Sequence, residues 1–253
     1  MTSMRLYEHT TAGPARGRLC MLQLYPRDMN IYGDWGNTLV LARRAQWHGY
    51  DVELRSYDVG DELPGQVDVV VGGGGQDSGQ DRIKEDLVRI GPRLRSWAAD
   101  GVPMLAVCGL YQLFGHGFVS SRGSRIPGIG VIDAQTSGGV GRLIGNVTLA
   151  TEEFGEVIGY ENHSGLTVLG PGVEPFGTVA RGDGNNGADS TEGARVHHVI
   201  GTYLHGSLLP KNPAVADWLL ARAVERSGGA WDPRPLDDTW AERARAVAAS
   251  RPR

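Results

Sequence analysis

The sequence predicts an α/β protein with a mostly parallel central sheet and helices on both of its faces. Three observations carry the prediction. Apolar runs of strand length alternate with amphipathic helical segments from Leu19 to Phe114, as expected where crossover helices link parallel strands. Four glycines, Gly72 to Gly75, close one of those runs, and glycines just past the carboxyl end of a parallel strand let backbone N–H groups approach a ligand. A cysteine, Cys108, stands where another run turns straight into a helix.

The elements follow in order. Met1 to Gly17 is polar and is expected to lie outside the domain, which spans 18–226; residues 227–253 form a polar tail with a short surface helix around Trp240. Leu19 to Tyr25 is a first strand, with Cys20 as core filling. Asn30-Ile-Tyr-Gly-Asp-Trp-Gly-Asn37 is turn-rich and leads into a helix from Thr38 to Trp47, where its bland role is helix capping. Tyr50 to Tyr57 and Val67 to Val71 are two further strands. The next helix carries Ile83, Leu87, Ile90, Leu94 and Trp97 at spacings of three and four, with a break or kink expected at Gly91-Pro92. Pro103 to Val107 reads as a strand buried on both faces, and Leu110, Leu113 and Phe114 continue at helical spacing. The glycine loop and Cys108 therefore follow two strands separated by one crossover helix, which puts them at the same edge of the sheet. From Ile126 to Thr202 short β-like runs predominate, including Gly128 to Ile132, Leu143 to Ala150 and Val196 to Thr202. They read as an antiparallel or mixed extension of the sheet, with Arg142 and the Glu161-to-Gly165 turn on its loops. Asn212-Pro213 then starts a last amphipathic helix.

Composition narrows the function. With 40% hydrophobic residues the 253-residue chain can bury a sizeable core, and its net charge of −4 comes without a Lys/Arg run. A nucleic-acid surface and stable membrane insertion are not expected, and small molecules or proteins are the partners to look for. Two cysteines do not make a disulfide framework, so the expected compartment is the reducing cytoplasm.

A cysteine nucleophile needs a base to take and return a proton, and the seven histidines are the candidates. His205 fits best, just past a predicted strand and before Gly206. His163 comes second, in a polar turn, while His197 and His198 are neighbours in a strand and point to opposite faces. No Cys/His/Asp cluster has metal-ligand spacing, so no metal is expected, and the glycine loop matches neither phosphate-binding pattern. From the stretch around Cys108 alone, a buried core cysteine and a nucleophile are equally open.

Ala106-Val-Cys-Gly-Leu-Tyr-Gln112, the Gly72 loop and Gly201-Thr-Tyr-Leu-His-Gly206 together resemble the class I glutamine amidotransferases of the cobyric-acid-synthase type. Within them the chain is most similar to the glutaminase subunits of lipid II isoglutaminyl synthases, through Asn30 to Asn37, Gly141-Arg-Leu-Ile-Gly145, Gly159-Tyr-Glu-Asn-His-Ser-Gly165 and Leu209-Pro-Lys-Asn212. The resemblance spans about residues 19 to 226. It implies a flavodoxin-like fold, with Cys108 as nucleophile on L-glutamine, His205 as proton shuttle, and backbone N–H groups of Gly109, Gly73 and Gly74 as the oxyanion hole. It also implies that Gln112 and Arg142 position the substrate. No cofactor is implied in this chain; ATP and Mg are expected on a partner, a Mur-ligase-like synthase subunit of the MurT type that amidates D-glutamate of lipid II. The chain departs from the pattern twice. Leu110 stands where relatives often have glycine, and Ser207 stands where many have the Glu that orients the histidine. Such an acid must come from elsewhere, Glu161 being the candidate, or be absent and leave a Cys-His dyad. Rival readings are an amidotransferase for a corrinoid-like acceptor and a non-catalytic docking subunit.

Overall fold

Two sheets are built from the chain in a computed structural model that describes residues 3–10, 14–120, 123–205 and 207–251. The first half supplies β1 (Met4–His9), β2 (Arg18–Leu24), α1 (Trp35–Trp47), β3 (Asp51–Tyr57), β4 (Val69–Gly72), α2 (Asp77–Ala99), β5 (Met104–Val107) and α3 (Gly109–Phe114). The chain then leaves for the second sheet: β6 (Gly117–Val119), β7 (Arg125–Pro127), β8 (Ala134–Thr151), β9 (Gly155–Leu169), β10 (Gly177–Arg181) and β11 (Thr191–Glu192). It returns through β12 (Ala194–Val196) and β13 (Val199–Thr202) to α4 (Pro213–Arg226) and α5 (Thr239–Ser250).

The central sheet has the order β1-β3-β2-β4-β5-β13-β12. Strands β3, β2, β4, β5 and β13 are parallel, and the antiparallel β1 and β12 close the edges. β4 and β5 are buried at every residue, which is why they read as uninterrupted apolar runs. Winding reverses between β2 and β4: α1 leads outward to β3, whereas α2 leads the other way to β5. At such a switch point the loops diverge and leave a crevice. The register fixes its depth. Leu24 pairs with Gly72, Gly72 with Ala106, and Val107 with Thr202, so the loops after β2, β4, β5 and β13 emerge side by side.

Several expectations change. Residues 128–132 form no strand, and the glycine-rich region is a separate six-stranded sheet built on the long β8–β9 hairpin rather than an extension of the first. The Glu161-to-Gly165 segment lies inside β9, and Arg142 lies inside β8 where the register shifts between Gly138 and Leu143. His197 and His198 make the turn between β12 and β13, with His197 at φ 53°. α2 runs unbroken through Gly91-Pro92; Ile129 packs so closely there that a Cβ on Gly91 would meet its Cγ2 at 2.8 Å, and that packing outweighs one lost helical hydrogen bond.

The two ends of the chain are also tied down. β1 pairs with β3, its Arg5 and Glu8 joining Arg18 and Glu53 in an ion-pair cluster at the sheet edge. The tail returns across α1, where Trp231 packs on His48 and Tyr50 and the buried Arg44 bridges Asp217 and Asp238.

Candidate active site

Cys108 occupies the N-cap position of α3 with φ 50° and ψ −105°. A non-glycine residue rarely adopts that backbone, and a sharp strand-to-helix turn of this kind pushes a nucleophile out of the sheet edge. The strain is held by the flanking order: Cys108 N–H donates to Thr202 O at 2.8 Å, and its carbonyl accepts Gln112 N–H at 3.0 Å. Two glycines make the turn possible. A Cβ on Gly109 would stand 2.8 Å from Gln80 Nε2 and Met29 Cε, and one on Gly74 would stand 2.6 Å from His205 Cε1 and 3.0 Å from Cys108 Cβ. Cys108, His205 and the glycine loop thus press together with no room for one methyl group.

His205 lies three residues past β13, fully buried, held by its N–H to Tyr160 O at 2.7 Å. Its Nδ1 faces both carboxylate oxygens of Asp34 at 3.1 Å. Asp34 Oδ2 also accepts Gly74 N–H at 2.7 Å. Burial of the ring opposes its charge, but the Cys108 sulfur and the Asp34 carboxylate outweigh that and raise His205 to about 10. The ring thus lies between the Cys108 sulfur and the Asp34 carboxylate, and both favour its protonated form. Its Nε2 has no hydrogen-bond partner among the described residues.

The carboxylate that faces His205 is that of Asp34. Glu161 instead accepts the N–H groups of Asp183 (2.9 Å) and Gly184 (2.8 Å) and anchors the loop after β10. Asp34 sits at the N-cap position of α1 without making a capping bond, because its carboxylate is turned to His205 and Gly74. The signal available was its place in the glycine-flanked turn between the first predicted strand and the helix that follows it. Leu110 does not enter the site. It is fully buried and fills the space over Gly72.

A cavity of about 360 Å3 opens beside Cys108, lined among others by Tyr32, Gly75, Gln80, Gln112, Arg142 and His163. Gln112 is fixed at both ends: its Oε1 accepts from Gln80 Nε2 at 2.8 Å, and its Nε2 donates to Tyr203 OH at 3.2 Å. Gln80, which the sequence did not single out, is thus a bridge between α2 and α3. Arg142 is braced by Asn162, with Nη2 2.7 Å from Oδ1. His163 stacks on Tyr203 at 3.5 Å and its Nδ1 lies 2.8 Å from Gly165 O. Of the three expected oxyanion donors, Gly74 is spoken for by Asp34, and Gly73 packs on Met29 and Asp34 outside the cavity. Gly75 lines the cavity, its nitrogen 3.1 Å from where a Gly109 Cβ would be. Among the described residues no group of His, Cys, Asp or Glu could hold a metal ion, and no helix is long and apolar enough to cross a membrane.

Residues 21–213 match the CobB/CobQ-like glutamine amidotransferase domain. The chain is 34% identical over 224 residues to the GatD subunit of the glutamine-hydrolysing lipid II isoglutaminyl synthase of Staphylococcus aureus (strain N315), covering 88% of this chain and 91% of that one. The corresponding subunit of Streptococcus pneumoniae (strain ATCC BAA-255 / R6) is 34% identical over 84% of this chain and 83% of its own. A probable cobyric acid synthase of Methanothermobacter thermautotrophicus is 32% identical over 62% of this chain but only 33% of its own length. Among solved structures, a glutamine amidotransferase superposes with a TM-score of 0.58 at 18% identity, over 80% of this chain and 98% of its own. Another from Thermotoga maritima gives 0.54 at 17%, over 91% and 93%.

Proposed function

The chain belongs to the CobB/CobQ-like glutamine amidotransferases, and from that membership we propose that it is the glutaminase subunit of a lipid II isoglutaminyl synthase, working through a Cys-His pair backed by Asp34. The observation that carries the mechanism is the convergence of Cys108, His205 and Asp34 around Gly74 at the edge of a cavity of about 360 Å3.

Cys108 Sγ, its proton on His205 Nε2, attacks the side-chain carboxamide carbon of L-glutamine. The tetrahedral oxyanion is held by the N–H groups of Gly109 and Gly75, the loss of one such donor typically costing about 3 kcal/mol of barrier. As the C–N bond breaks, His205 returns the proton to the nitrogen, and ammonia leaves behind a γ-glutamyl thioester. Water then attacks the thioester, with its proton passing through His205, and glutamate and the Cys108 thiol are released. Asp34 holds His205 with its proton on Nδ1, which keeps Nε2 free for each transfer. Gln112 and Arg142 position the substrate, Arg142 through the α-carboxylate.

The near full-length likeness to two GatD subunits supports the pathway. The ammonia goes to an ATP- and Mg-dependent, Mur-ligase-like partner of the MurT type, which amidates the D-glutamate α-carboxylate of lipid II to D-isoglutamine. No cofactor belongs to this chain. The setting is cytoplasmic, where the free thiols of Cys20 and Cys108 stay reduced. The test is glutamate release from L-glutamine by wild type and Cys108→Ala, alone and with the partner synthase. The variant is expected to release none and to support amidation only when ammonium salt is added; equal glutamate release by the two proteins would refute the mechanism.

A further inference from the structure

We propose that Asp77 forms the subsite for the α-ammonium group of the substrate, an inference that rests on glutamine being the substrate. Among the residues that line the cavity beside Cys108 there is one carboxylate side chain, Asp77, and one guanidinium, Arg142. They come from different elements: Asp77 opens α2 just after the glycine loop, and Arg142 projects from β8 braced by Asn162. A free α-amino acid carries one charge of each sign on the same carbon. A cavity with one complementary charge on each of two walls suits that zwitterion better than a simple carboxylate or amide.

Neighbouring acids do not share this position. Asp81, one turn further along α2, is paired with Lys84 at 2.7 Å and lies outside the cavity, and Asp28 is paired with Arg82 at 2.6 Å. Asp77 is exposed and makes no ion pair among the described residues. An acid in the first turn of a helix also complements the helix dipole, but such a role stabilises the fold without distinguishing one amide substrate from another.

That difference defines the test. The full-length protein is assayed with L-glutamine and with 4-carbamoylbutanoate, which is glutamine without its α-amino group. For wild type, kcat/KM for L-glutamine is expected to exceed that for the analogue by about 10-fold or more, the range of a hydrogen bond to a charged group. Asp77→Asn should lower kcat/KM for L-glutamine by a similar factor through KM, leave the analogue unchanged, and so erase the preference; Asp77→Glu should restore part of it. An Asp77→Asn protein that keeps the wild-type preference, or loses activity on both substrates equally, would overturn the proposal while glutamine hydrolysis by wild type stands. Failure of wild type to hydrolyse L-glutamine at all would instead overturn the glutaminase reading, and this inference with it.

Discussion

Replacing Asp34 by Asn tests the arrangement behind the base with little change of shape. The carboxylate makes three contacts: His205 Nδ1 at 3.1 Å from each oxygen, and Gly74 N–H at 2.7 Å. An asparagine keeps an oxygen for Gly74 but turns an NH2 donor toward Nδ1. The ring must then accept there and carry its proton on Nε2, the nitrogen that has to take the Cys108 proton. Hydrogen bonds to charged groups contribute about 1.5–3 kcal/mol, so losing this one corresponds to about a 10- to 150-fold fall in kcat/KM. Because Asp34 is also among the groups that raise His205 to about 10, the basic limb of the pH–rate profile should move to lower pH. The assay is glutamate release across pH 6 to 10, with urea unfolding to check that the Gly74 bond has kept the fold. A variant within twofold of wild type and with an unshifted profile would refute the assignment of Asp34.

Two further outcomes follow from the packing and the buried charges. Gly74→Ala inserts a Cβ 2.6 Å from His205 Cε1; it should lower glutaminase activity severely and cost about 1–3 kcal/mol of stability, read by activity and denaturant unfolding, and a fully active variant would contradict the close approach. Glu192, fully buried and bonded by Tyr203 N–H and Thr202 Oγ1, is pushed up by that burial to about 8 from an ordinary value of 4.5. The folded protein therefore holds a proton that the unfolded chain has lost, so the stabilisation is complete below about pH 4.5 and disappears as pH rises through 8. The stability of wild type relative to Glu192→Gln should fall by up to about 4 kcal/mol between pH 5 and 8, whereas a constant difference would show that Glu192 does not titrate there.

Much of this was legible in the sequence because it is local. The apolar runs that became β2, β4 and β5, and the turn at Cys108, depend on neighbours a few residues away. His205 was legible as a histidine at a strand end. Asp34 was not, because its partner lies 171 residues further along the chain and a carboxylate at a helix start is ordinarily a cap. Gln80 was hidden for a similar reason: inside a helix a glutamine reads as surface, and only the approach of α3 turns it inward to Gln112. The N-terminal strand β1 escaped because an edge strand needs no apolar face; Met4 and Leu6 remain exposed. In the glycine-rich half, periodicity identified strands but could not say that β8 and β9 pair over their lengths into a sheet of their own. The same uncertainty put His163 in a turn rather than in β9.

The most direct measurement of the central claim is covalent labelling of the full-length protein by 6-diazo-5-oxo-L-norleucine, an electrophilic glutamine analogue, followed by peptide mapping. Cys20 serves as an internal control, since burial and nearby carboxylates push its thiol up to about 11 and leave it unreactive at neutral pH. The account predicts one adduct per chain, on Cys108, prevented by excess L-glutamine and abolished in Cys108→Ala. An adduct on Cys20, or none on Cys108 in a folded protein, would contradict it.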